Sequence, residues 1–223
     1  MRLRRFDIAA VRAISWDVDG TLYSTRRVAS RLWFAILSAC LRGAPKQSWA
    51  ALAEMRRFRE RMELLRSTGW SLAVDDASIE RRIQFERRWL CPAIAAAGAR
   101  PGVADAVHFF ARRFETQIAL SDFECGHKLA SIGLANAFHA TYAGERLGHL
   151  KPSPQLFLRA LRDLELPPQA LLHIGDRADT DGAGAAAAGC SVLLLGRDFR
   201  TFTQLRAILT AVAHPDTAPP TSP

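Results

Sequence analysis

The chain has 223 residues, a formal net charge of +8, 49% hydrophobic residues and 23% charged ones. That length suits one domain or two small ones, and the balance excludes collagen-like, low-complexity and wholly disordered chains. The longest apolar run, residues 32–41, contains Ser38 and is about half of the ~20 residues a membrane-spanning helix needs, so no membrane partner is expected.

Residues 8–16 (IAAVRAISW) predict a mostly apolar strand that runs into DVDGTLY. From Thr25 to about Arg88 the apolar spacing becomes helical. A first helix presents Leu32, Ile36 and Leu37, with Trp33 and Phe34, and stops at Gly43 and Pro45. A second presents Trp49, Leu52, Met55, Phe58, Met62 and Leu65, with Arg56, Arg57, Arg59 and Arg61 opposite, and stops at Gly69. A third runs through Ile79, Ile83, Phe85 and Trp89, capped by Asp75 or Asp76. These stripes are expected to be core. Pro92 and the small residues after it read as a hinge. Beyond it, helices at 101–113, 128–138, 153–166, 181–189 and 200–213 alternate with strands at 116–121, 139–144, 169–176 and 190–196. Short apolar strands between helices predict right-handed crossovers and a parallel sheet covered on both faces. The expected fold is α/β: a Rossmann-like parallel-sheet core (residues 1–22 and 99–213), an inserted α-helical cap (23–98) and a disordered tail (214–223).

The excess charge is localised. Residues 23–100 hold 15 basic and 7 acidic residues, and the rest of the chain holds 15 of each. A solvated helical surface, attraction of a small anionic substrate and nucleic-acid binding all fit such a segment. It carries no arginine–aromatic alternation and no zinc-finger, RRM or KH signature, so no nucleic-acid partner is expected. The first five residues imitate a signal peptide, but Asp7 and Arg12 break the stretch that would have to be apolar. Four cysteines, Cys40, Cys91, Cys125 and Cys190, are far apart and form no CxxC. Reduced thiols and a cytoplasmic location are the expectation.

In open α/β sheets ligands bind beyond the carboxyl ends of the strands. Asp17 and Asp19 follow the first predicted strand, Ser121 ends the second, Lys151 lies beyond the third, and Asp176 ends the fourth, with Asp179 and Asp181 close behind. Singly, each fits a cap or a turn. Two acidic clusters, a hydroxyl and a lysine at one sheet edge do not.

The sequence DVDGTLY resembles the DxDGT signature of the haloacid dehalogenase superfamily. Ser121 matches its second motif, Lys151 in KPSPQLF its third, and GDRADTD its fourth, with Asp176 and Asp181; Asp179 is an extra acid in that motif. The helical insertion resembles the family's cap between motifs one and two.

The resemblance implies a Mg²⁺-dependent hydrolase of a small phosphorylated metabolite. Magnesium takes hard oxygen ligands and offsets the repulsion between a phosphate dianion and a carboxylate. By resemblance, the metal set is Asp17 (carboxylate), Asp19 (backbone carbonyl), Asp176 and Asp181. Asp17 is the implied nucleophile, forming an aspartyl-phosphate. Asp19 is the implied general acid and base, which calls for a pKa near neutrality. Ser121 and Lys151 complete the catalytic set and hold the phosphoryl group. Thr21, Asp122, Arg26 and Arg27 join them in the substrate-binding set, with cap arginines such as Arg56 and Arg59 as further candidates for a second anionic group. Dehalogenase and phosphotransferase chemistry are the family's alternatives. Asp19 speaks against the first, since halide leaves without a proton. A non-catalytic binding module with a basic cap is the alternative of another class.

Overall fold

Only Ala13–Trp16 of the first predicted strand form β1; Ile8–Ala10 close a 3-10 turn, started by the Asp7 carboxylate accepting from the Ala9 N–H at 2.9 Å. The structure, a computed structural model, describes residues 7–211, so the tail expected at 214–223 lies outside the described residues. Strands β2 (Thr116–Ser121), β3 (Ala140–Ala143), β4 (Leu171–Gly175) and β5 (Ser191–Leu194) complete one sheet in the order β3-β2-β1-β4-β5. Every pairing is parallel, with Ala13 opposite both Thr116 and Leu171. This is the Rossmann-like α/β fold expected. Because β1 is central, residues that leave its carboxyl end emerge between the ends of β2 and β4.

Both faces of β1 are buried, as the crossovers require. Ile14 and Trp16 face one layer and Ala13 the other. On the first face, α5 (Val103–Ala111) and α10 (Phe202–Ala211) bring Phe110 and Phe202 to 5.9 Å and 6.2 Å from the Trp16 ring. The Trp16 indole N–H, which would otherwise be a buried orphan, donates to Gln117 Oε1 at 2.9 Å. On the second face, α8 (Gln155–Asp163) buries Leu156, Phe157 and Ala160. There α9 (Ala183–Ala187) is a run of small residues because space is short. A Cβ on Gly184 would lie 2.8 Å from the Phe157 ring.

Between β1 and β2 the chain is helical. It forms α1 (Thr25–Leu41), α2 (Pro45–Ser67), α3 (Asp76–Phe85), a π-turn (Glu86–Leu90) and α4 (Cys91–Ala97). Asp75, not Asp76, caps α3, accepting from the Ala77 N–H at 3.2 Å. Two expectations fail here. The hinge at Pro92 is helix: proline sits in the first turn of α4, where its missing N–H costs nothing. The broad apolar face of α1 is narrow. Val28, Leu32 and Ile36, four apart, are buried, whereas Trp33, Phe34 and Leu37 are exposed, as is Trp49 on α2.

Two shorter helices follow strands on the core, α6 (Gly126–Ser131) and α7 (Gly144–Leu147). The predicted helix at 128–138 stops early, with Gly133 at φ +76° just past the end of α6. The inserted helices dock onto the core beside α7. The Leu72 N–H donates to Gly148 O at 2.9 Å, and the Leu150 N–H donates to Trp70 O at 3.0 Å. Those bonds end one residue before Lys151. No helix among the described residues is long and apolar enough to cross a membrane.

Candidate active site

Asp17 is the first residue past β1, and its N–H still pairs with the sheet, donating to Ile174 O at 2.8 Å. Its carboxylate is held at both oxygens: Thr21 Oγ1 donates to Oδ2 at 2.8 Å and Lys151 Nζ donates to Oδ1 at 2.6 Å. Lys151 reaches in from beyond β3, is buried, and also donates to Asp181 Oδ1 at 2.7 Å. Its own N–H donates to Asp122 Oδ1 at 2.7 Å, which fixes the root of the side chain. Ser121, at the end of β2, is buried, and it lines the same cleft as Asp122.

Asp176 leaves β4. Asp181, on a π-turn (Ala178–Gly182), folds back beneath it, its Oδ2 accepting from the N–H groups of Asp176 and Arg177, both at 3.1 Å. His173, fully buried on β4, lies 3.3 Å from Asp181 Oδ1 and touches Ser15 Oγ at 2.9 Å with its other nitrogen. Asp181 thus has two nitrogen neighbours at each oxygen. Asp179 points outward and pairs with Arg177 at 2.5 Å. Of Asp179 and Asp181, only Asp181 faces the site.

Asp17, Asp176 and Asp181 each offer an oxygen within 4.8 Å of the others. Asp176 Oδ1 is buried without a hydrogen-bond partner among the described residues. Gly20, at φ +103°, turns the chain directly over Asp176, where a Cβ would collide with the carboxylate. Three carboxylates against the one ammonium of Lys151 leave two negative charges, the charge of one divalent cation. With all-oxygen donors and an orphaned carboxylate oxygen, the residues fit magnesium.

The protonation balance follows from burial and charge. Burial pushes Asp17 well above the usual carboxylate range, with Asp181 and Asp176 adding to it and Lys151 opposing. Asp176 is raised by burial and by Asp181. Burial works to raise Asp181 too, but Lys151 and His173 overcome it and hold Asp181 as a carboxylate. Burial lowers His173, which favours the neutral ring.

Asp19 departs from the expectation of a near-neutral pKa. Burial acts to raise it, yet Lys128 and a hydrogen bond from the Tyr23 hydroxyl outweigh burial and hold it below the ordinary value. Lys128 Nζ, on α6, donates to Asp19 Oδ2 at 2.9 Å and to Oδ1 at 3.2 Å. It also lies 3.5 Å from Glu86 Oε1 on the π-turn of the inserted helices. Glu86 in turn meets His127 Nε2 and Arg82, both at 2.6 Å, and Arg82 continues to Glu145 on α7. No motif in the sequence marks Lys128, Tyr23, Glu86, Arg82 or His173. Their only signal is a charged or polar residue inside an apolar period.

These groups border a cavity of about 930 Å³ between the sheet edge and the inserted helices. Its far wall comes from Met55, Phe58 and Phe85, with Arg57, Arg61 and Arg81 among them, and Phe123 lines it from the loop after β2. Phe58 and Phe123 meet edge-on at 5.3 Å. Arg26 and Arg27 are not brought here: they are exposed on the first turn of α1 and do not line the cavity. Arg56 is likewise outside, paired with Glu60 at 2.9 Å, whereas Arg59 does line the wall.

The profile of haloacid dehalogenase-like hydrolases matches residues 11–189. The chain belongs to that family. The match runs from just before β1 to just past α9, so it spans every element that supplies the haloacid dehalogenase-like site. This hydrolase is 26% identical, over 84% of each chain, to the glyceraldehyde 3-phosphate phosphatase of Methanopyrus kandleri. Its fold is shared by the magnesium-bound hydrolase YfnB of Bacillus subtilis, at a TM-score of 0.64, 18% identity and coverage of 89% of this chain and 98% of that one. A 2-haloacid dehalogenase of Pseudomonas syringae aligns at a TM-score of 0.59, 23% identity and 90% and 98% coverage.

Proposed function

We propose that this hydrolase is a Mg²⁺-dependent phosphatase acting on a small phosphate monoester, with Asp17 as nucleophile, Asp19 as general acid and base, and the inserted helices as a cap over the cleft. The observation that carries it is the pairing of a buried carboxylate, Asp17, with Lys151 at 2.6 Å beside an Asp176 oxygen that has no hydrogen-bond partner among the described residues. A phosphatase relative supports the substrate class. A dehalogenase would have no use for Asp19, because a departing halide takes no proton.

Asp17, Asp176 and the Asp19 backbone carbonyl would hold the ion, and Asp181 would hold their loop. When bound, magnesium neutralises the phosphate dianion and polarises phosphorus. Thr21 and Lys151 fix the plane of the Asp17 carboxylate, so that an oxygen bonds phosphorus as the ester P–O bond breaks. Asp19 gives its proton to the departing alkoxide. It then takes one from the water that attacks phosphorus, and Asp17 leaves as a carboxylate. Asp19 rests ionised beside Lys128. The arriving dianion supplies a like charge that favours its protonation. Lys151 and Ser121 stabilise the charge that grows on the phosphoryl oxygens. Beyond the phosphoryl group the substrate lies against Met55, Phe58 and Phe123, and Arg57, Arg61 and Arg81 receive a second anionic group if it has one.

The test is turnover of p-nitrophenyl phosphate with Mg²⁺. Wild-type turnover that disappears in Asp17→Asn, with the fold intact, is the expected result. Turnover that survives in Asp17→Asn refutes Asp17 as nucleophile.

A further inference from the structure

The charged groups beyond the four motifs form a chain across the cleft. Lys128 is 2% exposed and stands between two carboxylates from opposite sides. One is Asp19, from the turn after β1, at 2.9 Å; the other is Glu86, from the inserted helices, at 3.5 Å. Burying an ammonium is expensive unless it is paired, so Lys128 stays where both carboxylates can reach it. Glu86 is anchored by Arg82 and His127. Arg82 bonds Glu145, whose Oε1 also accepts the Glu124 N–H at 2.7 Å. The π-turn brings Glu86 into this position, and such single-turn widenings are frequent at functional sites. On the other side of Asp19, the Tyr23 hydroxyl holds the carboxylate.

We propose that Lys128 is a positioning residue for Asp19, and that Glu86 makes this positioning depend on the inserted helices lying closed over the cleft. This rests on Asp19 being the acid and base of the proposed phosphatase. An acid that must meet the departing oxygen is useful only in a fixed orientation, and general acid catalysis is worth about 10²–10⁴-fold. Lys128 and Tyr23 remove the carboxylate's rotational freedom. Lys128 can do so only while Glu86 shares its charge. Opening of the inserted helices withdraws Glu86 and releases Asp19 before the site is sealed from water.

The experiment compares kcat/KM for two esters of similar shape, p-nitrophenyl phosphate and phenyl phosphate, with Mg²⁺. p-Nitrophenolate departs without help, whereas phenolate, a stronger base, gains more from a proton. Lys128→Met is expected to lower kcat/KM for phenyl phosphate at least about tenfold more than for p-nitrophenyl phosphate. Lys128→Arg restores part of the difference, and Glu86→Gln shows a smaller bias of the same sign. Equal losses on both esters, no loss on either, or an arginine variant no better than methionine overturns the proposal. If Lys128→Met does not fold, Glu86→Gln carries the same comparison, and an unbiased loss there overturns it as well. Wild-type enzyme that hydrolyses neither ester overturns the phosphatase reading and this inference with it. Wild-type turnover without the leaving-group bias overturns the inference alone.

Discussion

Gly175 is the last residue of β4, and the carboxyl group that organises the fourth motif lies directly above it. A Cβ placed there would stand 2.5 Å from Asp181 Cγ and Oδ2 and 2.6 Å from Asp181 Cβ. The backbone at Gly175 is not in the left-handed region, so Gly175→Ala adds no φ strain. Two effects oppose each other. Overpacking costs about 1–3 kcal/mol, while alanine in place of a strand glycine returns about 0.5–1 kcal/mol. The expected net loss is about 1–2 kcal/mol, read by urea denaturation. The rate should suffer more. Asp181 receives Lys151 at 2.7 Å, and Lys151 holds the Asp17 carboxylate at 2.6 Å. A shift of about 1 Å passed along these contacts costs on the order of 10² in kcat for p-nitrophenyl phosphate. Gly126→Ala is the control: a Cβ there meets nothing within 4 Å, so it should leave kcat unchanged and raise stability by no more than about 0.5–1 kcal/mol. Gly175→Ala with wild-type kcat would refute the claim that Asp181 sets the position of Lys151.

Four further outcomes rest on the same site. Asp179→Ala removes an exposed pair and should stay within about 0.5 kcal/mol of wild type with full activity. Asp181→Asn breaks a buried pair and should cost about 3–5 kcal/mol, both read by denaturation. The advantage of wild type over Asp181→Asn should depend on pH, with a sign fixed by the lowered pKa of Asp181. That stability is fully present above the ordinary carboxylate range and is lost as pH falls below about 4 towards the folded value. Denaturation at a series of pH values from about 6 down to about 3 should show the two proteins converging. Prolonged chelation should abolish phosphatase activity and added Mg²⁺ restore it, because without a cation burial pushes Asp17 and Asp176 towards their neutral forms; activity that persists in chelator refutes the metal assignment.

The core and the strand-end residues were legible because each rests on a local rule. Apolar runs of four to six residues between helical periods marked β2, β4 and β5 within a residue or two. Acids and hydroxyls directly after such runs had to lie at one sheet edge. The inserted helices were legible as helices but not in what they cover. Trp33, Phe34 and Leu37 follow the helical period and are exposed, since α1 packs through the narrower stripe of Val28, Leu32 and Ile36. Met55, Phe58 and Met62 follow it equally well and line the cavity. Periodicity gives the face of a helix and says nothing of whether that face meets core, ligand or water. Arg26 and Arg27 were placed by nearness in sequence to the first motif, but their helix starts by turning them outward.

The choice between Asp179 and Asp181 shows where sequence reasoning has to stop. On a regular α-helix, residues two apart point about 200° apart around the axis, so one of the pair must face the site and the other solvent, without the sequence saying which. The structure resolves it through the backbone that precedes them. Two successive N–H groups, of Asp176 and Arg177, leave the end of β4 with no strand partner and converge on a single oxygen of Asp181 at 3.1 Å each. The π-turn widens the helix start to let Asp181 reach them, and Gly175 keeps the path clear of a Cβ. Once those donors are satisfied by one carboxylate, Lys151 has a buried counter-charge on each side, and Asp179 is left to Arg177 at the surface. The decision is thus made by a requirement to satisfy two orphaned N–H groups at a strand end, a requirement that no spacing of acids expresses.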